Sequence, residues 1–273
     1  MQPHTLVLPG GGEMPALGFG TFELKGATCV DAVRHALKVG YRHIDTADLY
    51  ENHESVAEAI ADVAREELFL TTKIWHDRLH YDTVLEDAER SLKELRTDYV
   101  DLLLIHWPNR RIQMQETFRA FNELLESGKT RAIGVSNFTI AHIREAQEVS
   151  KAPIANNQVE FHPYLYQREL LEFCKEQGVT VTAYRPVVRG DVERDEVLQE
   201  LAKKRGCTPQ QAALRWLLDR GLSAIPRSKN PEHIEENWRA QEVELTEEDL
   251  QRIDGLNRDK RYVDAEFSEF DRT

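Results

Sequence analysis

Cysteine is scarce: the 273-residue chain has three, Cys29, Cys174 and Cys207, odd in number and far apart. That argues against a disulfide framework and leaves no CxxC pair for metal or redox chemistry, which fits a reducing compartment. Long apolar runs are missing as well. No stretch approaches the ~18 apolar residues of a membrane span, and the opening MQPHTLVLPGGGEMP has no basic region followed by an apolar one, so the expected location is the cytoplasm. Positive charge is in deficit, with 35 Lys and Arg against 48 Asp and Glu and a net charge of -13. Partners built on a phosphate backbone need a basic footprint, which argues against nucleic acid and equally against an anionic membrane. A saline cytoplasm and an ordinary bacterial one both accommodate such an acidic surface. The ten histidines include no HExxH and no His-x-His at a strand end, so no metal is expected. No linker rich in Pro, Gly or Ser divides the chain, and residues 1–273 read as one domain.

What is present is a core-forming share of apolar residues, 41%, beneath a surface that draws on 30% charged residues. The segment TLVLPGGGEMPAL sets apolar residues on both sides of a Gly-rich turn, the pattern of a β-hairpin. Eight short β-type runs follow: LGFGTF, YRHID, LFLTTKIW, YVDLLLIHW, TRAIGVSNF, PIANNQVEF, VTVTAY and LSAIPRS. Between them lie segments of helical period such as VLEDAERSLKEL and TFRAFNELLESG. Parallel strands need crossovers and bury both faces, so this alternation predicts an α/β fold, a (β/α)8 TIM barrel with an N-terminal β-hairpin. A doubly wound open sheet also alternates in this way. It announces its nucleotide site with GxGxxG, however, and GFGTFE lacks the third glycine and lies too near the terminus.

In a (β/α)8 barrel the site forms where strands end, so the polar residues closing each apolar run carry the chemistry. The second strand ends in HIDTADLY, the third in LFLTTK and the fourth in LLLIHW, which brings Asp45, Tyr50, Lys73 and His106 to one rim. Carbonyl reduction needs hydride at carbon and a proton at oxygen, and a phenol of ordinary pKa near 10 is a poor donor at neutral pH. An ammonium beside the phenol would lower that pKa, and a carboxylate would keep the ammonium charged and in place, which assigns Lys73 and Asp45. His106 would orient the carbonyl oxygen. Singly, each residue also has an ordinary structural use: a cap, a half-buried ring, a solvated strand end, a core histidine. Four such types converging at three successive strand ends do not follow from packing alone. A Schiff-base aldolase on Lys73 is the rival chemistry for this rim.

Nearly the whole chain resembles the aldo-keto reductase family, in particular the bacterial branch of 2,5-diketo-D-gluconate reductases. The motifs that carry the likeness are GYRHIDTADLYENHESVAEAI, TTKIW, DYVDLLLIHWP, GVSNF, NQVEFHPY and IPRSKNPEHIEEN. The resemblance implies a catalytic tetrad of Asp45, Tyr50, Lys73 and His106 and reduction of small aldehydes and ketones, keto-sugar acids among them. It implies NADPH as cofactor, with NADH also used. Ser136, Asn137 and Gln158 would meet the nicotinamide carboxamide, Tyr184 would stack on its ring, and Gly20, Thr21 and Asp45 would join the cofactor contacts. Where relatives have a loop like Ser-Pro-Leu-Gly, this chain has Arg185, Pro186, Val187, Val188, Arg189 and Gly190. The two arginines there either contact the pyrophosphate or lie outward.

For the adenosine 2'-phosphate the likeness points to Arg227 and Ser228, with His233 where an Arg is usual, and to Glu236 and Asn237 for adenine. A histidine lacks the permanent charge and fork of arginine, so discrimination against NADH should be weaker. Phe22, Trp75 and Trp107 would line the substrate pocket beside Tyr50 and His106. Arg110 and Arg111 either meet a substrate carboxylate or are solvated. The short loop WPNRRIQMQE and the tail DKRYVDAEFSEFDRT suggest an open, permissive mouth, and the family suggests a monomer. The alternative in another class is a non-catalytic, NADPH-binding sensor or accessory barrel.

Overall fold

The computed structural model describes residues 4–10, 12–188 and 190–270. The expected hairpin forms first: β1 (Thr5–Val7) and β2 (Glu13–Pro15) pair antiparallel, Thr5 opposite Pro15 and Val7 opposite Glu13. Strands and helices then alternate through β3 (Phe19–Gly20), α1 (Gly26–Val39), β4 (His43–Asp45), α2 (His53–Ile60), β5 (Phe69–Ile74), α3 (Tyr81–Leu95), β6 (Leu102–Ile105) and α4 (Met114–Glu126). The second half runs β7 (Ile133–Ser136), α5 (Ile140–Val149), β8 (Ile154–Glu160), α6 (Arg168–Glu176) and β9 (Thr180–Tyr184). Three helices follow, α7 (Asp191–Arg194), α8 (Glu196–Arg205) and α9 (Pro209–Asp219), before β10 (Ser223–Ala224), α10 (Pro231–Trp238) and α11 (Glu247–Asp254).

From β3 to β10 the eight strands pair in chain order, each parallel to the next. Leu17, just before β3, bridges in parallel to Ala224 in β10, and Gly18 N donates to Ala224 O at 2.9 Å. The sheet therefore closes on itself as the (β/α)8 barrel that the alternation predicts. Local chemistry agrees with the global path. Helix α9 opens on a Thr208/Gln211 capping box with Pro209 in its first turn, and α4 buries Thr117, Phe118, Phe121 and Leu124 on one face. Helix α1 ends at Gly40, whose φ of 133° suits glycine and where a Cβ would come within 2.6 Å of the Trp238 ring.

Strand alternation sorts the side chains between two cores. Along β5, Leu70 and Ile74 join the large core between strands and helices, whereas Phe69 belongs to the smaller core inside the barrel. Along β6, Leu103 and Ile105 face outward and Leu102 and Leu104 inward. The inner core is completed by Leu8 and Met14 of the hairpin segment, which stoppers the end of the barrel remote from the rim. Inward positions on β5 then climb in rungs. Phe69 meets the hairpin core, Thr71 Oγ1 lies 3.1 Å from His43 Nε2, and Lys73 reaches Asp45 at the rim. On β6 the same period leads from Leu102 and Leu104 to His106. The polar residues of the rim are thus the last rung of a ladder whose lowest rung is apolar and whose middle rung pairs Thr71 with His43, and burial of the barrel fixes their positions.

Candidate active site

Lys73 is completely buried, and its ammonium has three oxygen neighbours: Asp45 Oδ1 at 2.6 Å, Thr46 O at 2.8 Å and Tyr50 Oη at 3.4 Å. A charge so far from water stands only where it is paired and fully hydrogen-bonded, and these three acceptors meet that need. Burial still draws the ammonium below its ordinary pKa, with the Asp45 carboxylate opposing the shift. The other Asp45 oxygen, Oδ2, accepts from Gln158 Nε2 at 2.7 Å, so both carboxylate oxygens are committed. Tyr50 closes a short 3-10 turn (Asp48–Tyr50), and the residue after it, Glu51, adopts a left-handed φ of 51°. A second brace comes from buried Asn52: it donates to Thr21 O and Leu24 O, both at 3.0 Å, and accepts from Thr46 Oγ1 at 2.6 Å.

The Tyr50 phenol lies well above its ordinary pKa, pushed first by burial and then by the charge of Asp45. This is opposite in sign to the expectation that Lys73 would lower it, because desolvation outweighs a neighbouring ammonium whose charge Asp45 already balances. The phenol is therefore protonated at neutral pH. His106 is buried, and burial together with Lys73 and His76 pulls its pKa well below the ordinary value, leaving a neutral imidazole. Its Nδ1 has no hydrogen-bond partner among the described residues. The His106 ring packs edge-on against Tyr50 at 5.8 Å and Trp75 at 5.0 Å between centroids.

A cavity of about 390 Å³ opens above this group. Phe22, Leu49, Trp75 and Trp107 wall it on one side, with Tyr50, His106 and Asp45 at its floor. It continues past Gly20, Ser136, Asn137, Gln158 and Tyr184 to Arg185 and Arg227. Asn137 is in the left-handed region, φ 63°; it donates to His106 O at 3.0 Å and to Ser136 Oγ at 3.1 Å, and accepts from Tyr184 OH at 2.8 Å. Ser136 Oγ donates in turn to Gln158 O at 2.7 Å. At Gly20 a Cβ would lie 2.8 Å from Ile225 O, so the wall between the β3 and β10 ends is backbone against backbone.

Several residues named from the sequence stand elsewhere. Thr21 is buried and does not line the cavity; its N and Oγ1 both donate to Asp45 O, at 3.0 and 2.9 Å. Ser228 Oγ accepts from Asn230 N at 3.0 Å in the turn that starts α10, and His233 is exposed in the first turn of that helix. Glu236 accepts from Thr208 Oγ1 at 2.5 Å, and Asn237 is buried. Arg189 lies outside the described residues. Arg110 donates its N to Glu269 Oε1 at 2.7 Å and its Nε sits 3.2 Å from the same atom, an internal partner where the sequence suggested substrate or solvent.

The mouth is also less open than the short tail suggests. Val263, Ala265 and Phe267 line the cavity, and Phe267 stacks on His76 at 4.1 Å and meets Trp75 and Trp107 edge-on. Two buried carboxylates hold this strap. Glu160, at the end of β8, accepts from Tyr262 N and Val263 N, both at 2.8 Å, with His162 Nε2 at 3.0 Å. Glu269, on the strap itself, lies 3.1 Å from Nε2 of fully buried His142 as well as against Arg110. Sequence reading missed these wall residues because DAEFSEF has neither helical nor strand period; the paired phenylalanines in an acidic tail are the only signal it carries.

Fold and rim together define a (β/α)8-barrel enzyme with its reactive groups at the C-terminal ends of the strands. Residues 16–258 match the model of the Aldo/keto reductase family, and the chain belongs to that family. It is 43% identical to the glyoxal reductase of Bacillus subtilis (strain 168), over 94% of each chain. It is 42% identical to the methylglyoxal reductase DkgB of Escherichia coli O157:H7, over 93% of this chain and 97% of that one. A solved structure provisionally described as a 2,5-diketo-D-gluconic acid reductase B superposes with a TM-score of 0.94 at 39% identity, over 97% of this chain and 95% of that one. The protein is accordingly an oxidoreductase acting on carbonyls, of a family that uses NAD(P)H. None of its described helices is long and apolar enough to cross a membrane.

Proposed function

We propose that the protein reduces small aldehydes and ketones, 2-oxoaldehydes of the methylglyoxal kind and keto-sugar acids among them, to alcohols with NADPH, and uses NADH as well. The observation that carries this reading is the buried Lys73 ammonium held between Asp45 Oδ1 at 2.6 Å and Tyr50 Oη at 3.4 Å on the cavity floor. Reduced nicotinamide supplies the hydride when bound. Tyr50, protonated at neutral pH, donates its phenolic proton to the carbonyl oxygen as carbon accepts the hydride. The phenolate that results forms against Lys73, which Asp45 holds in place, so its stabilisation grows only as the proton leaves. His106, a neutral imidazole, holds the carbonyl oxygen by a hydrogen bond without competing for the proton. Asn137, Ser136 and Gln158 fix that rim, and the aromatic walls exclude water from it.

The residues present suit a dinucleotide. A backbone-lined cradle at Gly20, the amide and hydroxyl cluster around Asn137, and the flat face of Tyr184 lie along one cavity that ends in Arg185 and Arg227. We assign Ser136, Asn137 and Gln158 to the carboxamide, Tyr184 to the ring, Arg185 to the pyrophosphate and Arg227 to the 2'-phosphate. Ser228, His233, Glu236 and Asn237 belong to the adenosine end on α10 and the turn before it. Phe22, Trp75 and Trp107 are the substrate walls, and the whole chain acts as one barrel domain, a cytoplasmic monomer. In the test, NADPH oxidation is followed with methylglyoxal and with a keto-sugar acid. Tyr50→Phe should lose at least about 100-fold in kcat while the Kd for NADPH stays within about twofold. Comparable turnover in that variant would overturn the assignment, and tight cofactor binding without turnover in the unmodified protein would favour the sensor.

A further inference from the structure

Arg227 and Glu23 face each other across the cofactor end of the cavity, and their side chains form an ion pair. The pairing follows from the backbone. Gly20 N donates to Pro226 O at 3.1 Å, and the missing side chain at Gly20 lets the β3 and β10 ends run in contact, which sets residues 21–23 beside 225–227. The turn that carries Glu23 is rigid. Leu24 N donates to Thr21 O at 3.0 Å, Asn52 ties both ends of the turn, and Glu23 itself is locked at a left-handed φ of 63°. A non-glycine residue in that region stores strain and persists only where its surroundings over-determine it. The carboxylate is therefore presented at a fixed place. Its side chain is 50% exposed, and that of Arg227 only 21%.

We propose that Glu23 sets how strongly the protein distinguishes NADPH from NADH, by holding Arg227 in an ion pair that an arriving 2'-phosphate has to displace. The proposal rests on the reading above that Arg227 receives that phosphate. A 2'-phosphate close to a double negative charge meets Glu23 as a like charge and Arg227 as an already neutralised partner. Binding it requires the carboxylate to release the guanidinium and either turn outward or remain as a repulsive neighbour. A 2'-hydroxyl carries no charge, so NADH binds with the pair intact. The penalty therefore falls on one cofactor alone and narrows the gap between the two. Glu23 touches no reacting atom; it is a specificity-determining residue, and its effect is one of charge.

The test is calorimetric titration of the folded, full-length protein with NADPH and with NADH at low ionic strength, for the unmodified chain and for Glu23→Gln, Glu23→Lys and Arg227→Gln. Glu23→Gln should tighten NADPH binding about three- to tenfold, Glu23→Lys more than that, and both should leave NADH within about twofold. Arg227→Gln should weaken NADPH selectively. Raising NaCl toward 0.5 M should compress the differences among the variants. Equal shifts for both cofactors, or none, in the two Glu23 variants would overturn the proposal. If Arg227→Gln weakens NADPH selectively while the Glu23 variants change neither cofactor, only the role of Glu23 fails. If Arg227→Gln leaves NADPH unaffected, the assignment of the 2'-phosphate to Arg227 fails, and the proposal falls with it.

Discussion

His43 sits one rung below the reactive level, packed against Thr71 and Pro15 O, and burial pulls its pKa down to about 4. An unfolded histidine titrates near 6.5, so below that pH the unfolded chain takes up a proton that the folded one refuses. The stabilisation from a neutral His43 is complete above about pH 6.5 and is lost as pH falls toward 4, with a limiting slope of about 1.4 kcal/mol per pH unit. Urea unfolding at pH 7 and pH 5 should show this loss, and His43→Gln should reduce it; an unchanged slope in the variant would place the acid sensitivity elsewhere. The same scale shows what single residues disclose in a sequence. Asp45, Lys73 and His106 were readable because each lies at the end of an apolar run, and Tyr50 because it stands in the turn that follows the first of them; the strand register and that turn then bring them together. The upward shift of the Tyr50 phenol was not readable, since it depends on how completely water is removed. Glu23 and Asn52 were not either: both lie in polar loops with no periodic signal, and their roles arise from contacts made across the barrel.

At the scale of elements, the hairpin and the strap both lie outside the repeating βα pattern, and they close opposite ends of the barrel. The hairpin was legible because apolar residues flank a glycine turn, and its Met14 is fully buried against Phe69, Leu102 and Leu104. Met14→Ala should cost about 2–5 kcal/mol in urea denaturation and leave kcat with methylglyoxal within about twofold, because the cavity it creates opens at the Phe69 level, below the Thr71 and His43 rung that separates it from the rim. A large loss of kcat would mean that the stopper transmits to the reactive level. The alternation of strands and helices was legible, as the periods of two and of 3.6 are set by which faces are buried, but the runs overshoot the strands, LGFGTF giving only Phe19–Gly20 and LSAIPRS only Ser223–Ala224, and α7 and α8 were not read at all. The strap was not, because its order comes from Glu160 and Glu269 and not from any pattern of its own.

Across the whole molecule, negative charge dominates at -13, although many surface carboxylates sit in ion pairs. Exposed pairs contribute about 0–1 kcal/mol each and weaken with salt, whereas the self-repulsion of a net charge acts on every part of the compact state and is relieved by salt. The second effect should win. The midpoint of thermal unfolding is expected to rise by a few degrees between about 10 mM and 150 mM NaCl. A fall would show that the ion pairs, such as the network joining Arg78, Asp87, Arg90 and Asp48, outweigh the repulsion.

The strap over the mouth has a consequence for how such an enzyme changes over generations. Its wall residues Val263, Ala265 and Phe267 belong to no strand or helix, and its two fastenings use none of their side chains: Glu160 holds the backbone N–H groups of Tyr262 and Val263, and Glu269 meets His142 and Arg110. Replacing a wall residue thus alters the outline that a substrate meets without disturbing barrel closure, the buried ammonium or the fastenings. Heritable change is free to try new substrates in the strap while the reaction itself stays under the keeping of the strand ends and the turn that carry Asp45, Tyr50, Lys73 and His106.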